Sequence, residues 1–229
     1  MNKKNKTILL VTLILFVALL AVSIGFCAST ISQGELARSL AKEGTDTIVL
    51  DGTVKIKKPL TVRGNKKICG NGTIVLTGDL AGKWPDDEKG SSWGTGCTTL
   101  SLDDTDQMSA MFNVSDQATL VLDESVSVDA QKMGNVVHVN SGGTFEMNGK
   151  SAVVNGRYAN VVVEDDATAN INAGKIKKGN VYGIVNYGML NMNGGKHSGS
   201  CAVVYNVGTT VQNGGEISKA SVHKVYVSA

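Results

Sequence analysis

Aromatic residues, histidine and arginine are scarce in this sequence. Aromatic side chains make up 5% of the chain, and there are three histidines and three arginines. The histidines lie far apart, without the close spacing of zinc ligands, so the sequence predicts neither a metal nor a cofactor. Once the three lysines of the first segment are set aside, 19 basic residues face 20 acidic ones. This balance argues against a nucleic-acid partner.

The first segment of the chain is basic and then apolar. Lysines at positions 3, 4 and 6 precede an apolar run over residues 8–24. This order is typical of a secretory signal, so we predict a signal peptide over residues 1–28 and one secreted or surface-attached domain over residues 29–229. An uncleaved membrane anchor and acylation of Cys27, as in bacterial lipoproteins, are the alternatives. A membrane contact is predicted only through this segment.

Residues 31–44 carry the signals of one short helix. Ser32 and Glu35 have the spacing of a capping box, and Gly44 supplies a left-handed end. Leu36 and Leu40 belong to one apolar stripe. We therefore predict an amphipathic helix of about three turns that covers the open end of the domain.

A repeat runs through the second half of the chain. Turn residues recur at steps of 25, 24, 21 and 20 residues, and such a period is typical of a solenoid. The turn residues are Asp123, Asn148, Asn172, Asn193 and Asn213. Four residues before them stand Thr119, Thr144, Thr168, Met189 and Thr209. Nine residues before them stand Val114, Val139, Val163, Ile184 and Val204.

One repeat is too short to bury its apolar positions alone, so successive repeats must stack as coils. Stacking gives parallel strands about 4.8 Å apart and one continuous core. We therefore predict an all-β protein, a parallel β-helix, in which Tyr182 with Ile184 and Ala202 with Val204 continue one inward face. The stacked asparagines are expected to hydrogen-bond from coil to coil.

Residues 79–110 interrupt the repeat and are predicted to form an insertion loop. Trp84 and Trp93 stand near Asp86 and Asp87 in this otherwise aromatic-poor chain. Such aromatic side chains often contact a ligand, so these four residues are the predicted glycan-binding residues. The alternative is that a tryptophan holds the loop onto the body of the domain.

Three stretches resemble known repeat proteins. The run from Ile68 to Leu76 resembles the early coil of pectin-lyase-like right-handed β-helices. Residues 190–196 and 210–218 resemble the Asn-Gly-Gly coils of bacterial surface and adhesin-like proteins. The resemblance covers about residues 45–229 and implies a right-handed β-helix of about seven or eight coils. Because this fold carries lyases, hydrolases, adhesins and inert stalks, it does not fix the function.

The hydrolases of this fold imply where to look for catalysis. They place aspartates on adjacent coils, and the nearest equivalents here are Asp116, Asp165 and Asp166, followed later by His197. The family's glycine pattern around the histidine is missing, and acidic residues at such corners are mostly turn formers. The predicted catalytic set is therefore none, and these three aspartates belong to the alternative.

The favoured function is a secreted or cell-surface, non-catalytic protein that binds glycan or acts as an adhesin. One alternative is a polysaccharide lyase or hydrolase acting on an acidic polysaccharide, and another is a structural surface spacer. The C-terminal edge of the solenoid is expected to be blunted or to pair with another chain. A Cys69–Cys97 bridge is allowed in an oxidising compartment, but we favour Cys69 and Cys201 as small buried residues.

Overall fold

The structure is a computed structural model that describes residues 31–81, 108–217 and 223–227, the last range as backbone alone. Within these ranges the chain forms one helix and three parallel sheets. The predicted signal peptide and most of the predicted insertion lie outside them.

The helix α1 (Gln33–Ala41) begins at the predicted capping box. The Ser32 amide donates to Glu35 Oε2 at 2.8 Å, and the Glu35 amide donates to Ser32 Oγ at 3.3 Å. Leu36 and Leu40 are buried, and the helix packs against all three strands of the first coil. The predicted helix at the open end of the domain is confirmed.

Three parallel sheets of seven strands each enclose the core. Sheet A comprises β1 (Thr45–Leu50), β4 (Asn65–Gly70), β7 (Thr119–Leu122), β10 (Thr144–Met147), β13 (Thr168–Ile171), β16 (Met189–Met192) and β19 (Thr209–Gln212). Sheet B comprises β2 (Thr53–Ile56), β5 (Thr73–Leu76), β8 (Ser127–Asp129), β11 (Ala152–Val154), β14 (Lys175–Gly179), β17 (Lys196–Gly199) and β20 (Glu216–Ile217). Sheet C comprises β3 (Leu60–Val62), β6 (Ala110–Val114), β9 (Asn135–Val139), β12 (Ala159–Val163), β15 (Tyr182–Asn186), β18 (Ala202–Asn206) and β21 (His223–Val227). Each coil passes once through each sheet, so the predicted parallel β-helix is confirmed.

The strands of sheet B in the second half of the chain are not predicted by the sequence pattern. Four of them, β8, β11, β14 and β17, each turn one apolar or histidine side chain into the core, namely Val128, Val153, Ile176 and His197, all buried. A strand with a single inward residue shows no alternation of apolar and polar positions. Their sequence pattern therefore indicates turns and not strands.

The threonine column stacks as predicted. Along sheet A the paired residues are Thr119, Thr144, Thr168, Met189 and Thr209. The predicted valine column is wrong in its last two members, because Val163 pairs with Asn186 whereas Ile184 pairs with Val161. Four residues connect β12 to β13, but two connect β15 to β16. This shorter turn shifts the alignment by two residues.

Two separate apolar clusters are buried. The main core includes Ile184 and Val204, but Tyr182 and Ala202, which we expected beside them, belong to the second cluster. This second cluster consists of Met108, Tyr158, Ala159, Val162, Val181, Tyr182, Val185, Tyr187, Ala202 and Tyr205. Val162 lies between two core residues of β12, so alternation along the strand puts it on the outer side of sheet C. The second cluster therefore lies outside the solenoid.

The cysteines differ from the favoured interpretation in one respect. Cys69 is a free, buried thiol, so it forms no bridge with Cys97. Burial raises the pKa of the Cys69 thiol, and the nearby Glu124 carboxylate raises it further. Cys201 is partly buried beside the second cluster, and it is disulfide-bonded. The prediction of a small buried cysteine is thus confirmed for Cys69 and is wrong for Cys201.

Candidate functional site

The predicted contact residues of the insertion lie outside the described residues. These are Trp84, Asp86, Asp87 and Trp93. Their role stays a prediction, as does the fate of Cys27.

The three aspartates of the hydrolase alternative share one corner, between sheets C and A. The Gln117 amide donates to the Gly142 carbonyl and the Gly142 amide to the Asp166 carbonyl, both at 3.2 Å, so Asp116 and Asp165 lie two coils apart. All three carboxylates are exposed. Asp165 Oδ1 accepts from the Asp166 amide at 3.1 Å, and Asp166 has a left-handed φ of 57°. These contacts are those of turn-forming residues.

His197, which follows this set in the sequence, points into the solenoid. It lies on β17 with its ring fully buried in the solenoid, and its Nε2 is 2.7 Å from the Gly194 carbonyl oxygen. Burial lowers the pKa of His197, and this hydrogen bond offsets part of the change. The side chain therefore belongs to the core and does not join the aspartates.

The corner contains one ion-pair geometry that the sequence pattern does not single out. His138 Nε2 lies 2.6 Å from Glu164 Oε1, and both side chains are largely buried. Glu164 Oε2 accepts from the Ser141 amide at 2.9 Å. The separation of 26 residues is close to one coil length, which is the signal in the sequence for this contact. The pair connects β9 to the following coil.

The described ranges contain neither a metal-binding cluster nor a membrane-spanning helix. No group of three or more histidine, cysteine, aspartate or glutamate side chains there is arranged to hold a metal ion. The helix in this part of the chain is not both long and apolar enough to cross a bilayer.

The asparagines predicted to stack do form a ladder along the corner that follows sheet A. Asn172 Nδ2 donates to Asn148 Oδ1 at 2.9 Å. Asn193 Nδ2 donates to Asn172 Oδ1, and Asn213 Nδ2 to Asn193 Oδ1, both at 2.8 Å. We call these four residues the asparagine ladder. Left-handed and turn backbone near this corner accounts for asparagine here without any ligand.

Another two asparagines do not lie at a turn, so turn backbone does not explain them. Asn170 and Asn191 stand in the middle of β13 and β16, directly paired across the two strands. Asn191 Nδ2 donates to Asn170 Oδ1 at 2.9 Å. Their separation of 21 residues, in step with the repeat, is the sequence signal that identifies them.

The surface around this pair is partly apolar, and its one charged neighbour among the paired outward residues is Glu146, which lies directly beside Asn170 on β10. On the outward face of the last three strands of sheet A, Met189 and Val211 are 38% and 40% exposed. We call the outward residues Thr168, Asn170, Met189, Asn191 and Val211 the amide platform. Together they offer amide and hydroxyl groups beside two apolar side chains on the solvent-facing side of sheet A.

Comparisons of this chain with protein families, with curated proteins and with solved structures find no match. The functional proposal therefore rests on the fold and on these surfaces.

Proposed function

We propose that this protein is an exported, non-catalytic glycan-binding protein of the pectin-lyase-like or adhesin-like kind, and that its amide platform binds a neutral polysaccharide. The observation that carries the proposal is the Asn170–Asn191 pair in the middle of two strands. Asparagine is depleted in strands, whereas threonine, which fills most of the neighbouring column, favours them. The hydrogen bond between the two amides offsets only part of this cost.

The pair is suited to sugar hydroxyls. The hydrogen bond fixes both amides, and within the described residues Asn170 Nδ2 and Asn191 Oδ1 make no other side-chain hydrogen bond. One donor and one acceptor group thus remain for a ligand, and groups that are already ordered lose less entropy on binding. Met189 and Val211 lie where the apolar face of a sugar ring would pack.

Charge complementarity favours a neutral ligand. Glu146 is the charged residue on the outer face of β10, one coil before the amide platform. From β13 to β19 the outward positions of sheet A carry hydroxyl, amide or apolar side chains. A polysaccharide without charges would lose no ionic hydration on this surface.

Two observations support export and the family assignment. Disulfides form mainly in oxidising compartments, so the bonded Cys201 agrees with the predicted signal peptide. Coils with three sheets and stacked asparagines agree with the resemblance of residues 68–76 to pectin-lyase-like proteins. Self-association through the C-terminal edge and attachment through the first segment remain parts of the proposal.

The other two functions have less support. Asp116, Asp165 and Asp166 are exposed turn residues, so no specific contact favours a lyase or a hydrolase. A structural spacer would require no asparagine inside strands. We therefore keep glycan binding as the proposal.

Binding to an array of neutral polysaccharides tests it. The Asn170→Thr/Asn191→Thr double variant keeps β-propensity and should lower the affinity about thirtyfold, since two hydrogen bonds of about 1 kcal/mol each are lost. Asn65→Thr is the matched control: this exposed asparagine starts β4, three strands from β13 or about 14 Å away on the same sheet. Its affinity should match that of the wild type.

Three outcomes would contradict the proposal. The first is no binding to any neutral chain, and the second is unchanged affinity in the double variant. Loss of binding in Trp84→Ala/Trp93→Ala, with an unaffected asparagine double variant, would move the site to the insertion. Release of unsaturated or reducing products from polygalacturonate would instead favour the enzyme alternative.

A further inference from the structure

Lysines gather on the outer face of sheet B, away from the amide platform. Lys175 and Lys177 flank the buried Ile176 on β14, and Lys196 precedes the buried His197 on β17. Because neighbouring residues of a strand point to opposite faces, these lysines point outward. Lys178, at the end of β14, is also exposed. We call these four residues the lysine patch.

The fold does not require lysine at these positions. Lys175 pairs directly with Lys196, and like charges paired across strands destabilise a sheet. The outward column that contains them reads Thr53, Thr73, Ser127, Ala152, Lys175, Lys196 and Glu216. Neutral residues fill this column in the first four coils. The repulsion is therefore tolerated only where the patch lies.

Neighbouring carboxylates neutralise little of this charge. Glu216 Oε2 lies 2.8 Å from Lys196 Nζ, but both side chains are about 60% exposed, and such pairs contribute little. Lys196 and then Lys177 hold the pKa of Glu216 below its usual range. On the other side, Asp129 lies two strands or about 9.6 Å from Lys177, and it accepts hydrogen bonds from Gln131 and Asn155. The patch thus keeps a net positive charge.

We propose that the lysine patch binds an acidic polysaccharide through the carboxylates of its uronic acid residues. Glu216 shows how a carboxylate contacts this surface, since its oxygen occupies the position beside Lys196 that a ligand would take. Along the solenoid axis the paired lysines are about 4.8 Å apart, and along β14 about 6.6 Å separate Lys175 from Lys177. Lysines at these intervals allow one surface to contact more than one carboxylate of an extended chain with one carboxylate per sugar.

The outward residues of the same strands favour this ligand over other polyanions. On β11, β14 and β17 they are Ala152, Val154, Lys175, Lys177, Lys196 and Ser198. Single-stranded nucleic acids are held largely by stacking on aromatic side chains, which this set lacks. Interfacial membrane binders add large apolar side chains that enter the lipid, and this set contains only Val154.

The inference is independent of the proposed function, because sheets A and B are different sides of the solenoid. The amide platform and the lysine patch are therefore accessible to two ligands at once. A protein that holds a neutral chain on one side and an acidic chain on the other would join two polymers, which is what an adhesive role requires.

Binding of the full chain to immobilised polygalacturonate tests the inference. Wild-type affinity should fall steeply as salt rises. The Lys175→Gln/Lys177→Gln/Lys196→Gln variant should bind about tenfold more weakly or worse, whereas the corresponding arginine variant should bind like the wild type. Because the glutamine variant loses a like-charge repulsion, its thermal unfolding midpoint should be no lower than that of the wild type. Glu216→Gln should bind more tightly, because the competing carboxylate is removed.

A charge-matched control variant is Lys55→Gln/Lys57→Gln/Lys58→Gln. These exposed lysines lie on or just after β2, four strands or about 19 Å from β14 on the same sheet. The change in net charge is the same, so an equal loss of binding in both variants would show a non-specific effect and overturn the inference. Tighter, lysine-dependent binding to single-stranded DNA or to phosphatidylserine vesicles would overturn it too, as would binding to polygalacturonate no stronger than to neutral dextran. Asn170→Thr/Asn191→Thr should leave this binding unchanged, which separates it from the proposed function.

Discussion

The central amide of the asparagine ladder gives a quantitative test of the stacking. Asn172 donates to Asn148 and accepts from Asn193, whereas Asn213 makes one ladder bond, to Asn193. An exposed hydrogen bond of this kind contributes about 0.5–1 kcal/mol net. Asn172→Ala should therefore lower the free energy of unfolding by about 1–2 kcal/mol, and Asn213→Ala by about half as much. Both residues follow a strand of sheet A at the same turn position, so the loss of turn propensity cancels in the comparison.

Urea unfolding followed by circular dichroism measures both losses, with an unchanged dependence on denaturant as the sign that the folded state is intact. Asn172→Asp adds a further distinction, since a carboxylate still accepts from Asn193 but cannot donate to Asn148. Its stability should lie between those of the wild type and Asn172→Ala. Equal losses for Asn172→Ala and Asn213→Ala would refute the idea that amides stabilise one another from coil to coil.

Three further predictions concern the core and the covalent structure. Gly70→Ala should destabilise the protein by about 2–4 kcal/mol, because Gly70 has φ of +100° and a Cβ there would meet the Leu50 carbonyl. Gly34→Ala, in the open first turn of α1, should instead stabilise the protein by up to about 1 kcal/mol. Thermal unfolding of the two variants measures both changes. In the unfolded chain His197 becomes protonated when the pH falls below its ordinary pKa of 6.5. In the folded chain burial lowers the pKa of His197, so the ring stays neutral to a lower pH. The free energy of unfolding should therefore fall below about pH 6.5 by up to about 1.4 kcal/mol per pH unit, and His197→Ile should remove this part of the loss between pH 7 and pH 5. Cys201→Ser should cost about 2–4 kcal/mol under non-reducing conditions, whereas Cys69→Ala should cost less than about 1 kcal/mol, as chemical denaturation would show.

The repeat made the architecture predictable from the sequence. Equivalent positions recur with the coil, and each stacks on the same position above and below it, so Thr144, Asn172 and their equivalents indicate the stacking directly. The helix was predictable for a local reason, since Ser32 and Glu35 satisfy backbone groups within a single turn. In both cases the structural cause lies within one period of the sequence.

Features that depend on comparing coils of different length were not predictable. Val163 pairs with Asn186 because the turn after β15 is two residues shorter than the turn after β12. Counting back a fixed number of residues from the turn asparagine does not show whether residues are lost from the turn or from the strand. The second cluster was not predicted, because alternation along β15 predicts that Tyr182 lies on the same side as Ile184, in the core. The later strands of sheet B were not predictable, because a short strand with a single inward side chain shows no alternation.

The candidate sites follow from the same asymmetry between the two faces of a coil. The core determines which inward residues are acceptable, but stacking places almost no demand on outward residues beyond β-propensity and the avoidance of like charges. The pair Asn170 and Asn191 departs from β-propensity, and the pair Lys175 and Lys196 departs from the avoidance of like charges. In each pair the two residues lie on neighbouring coils and are 21 residues apart in the sequence. Departures that recur in register on neighbouring coils act as a surface rather than as isolated substitutions. In a solenoid, such paired departures on the outward face are therefore a more informative guide to ligand sites than the turn aspartates, because the turn aspartates serve the backbone of their own coil.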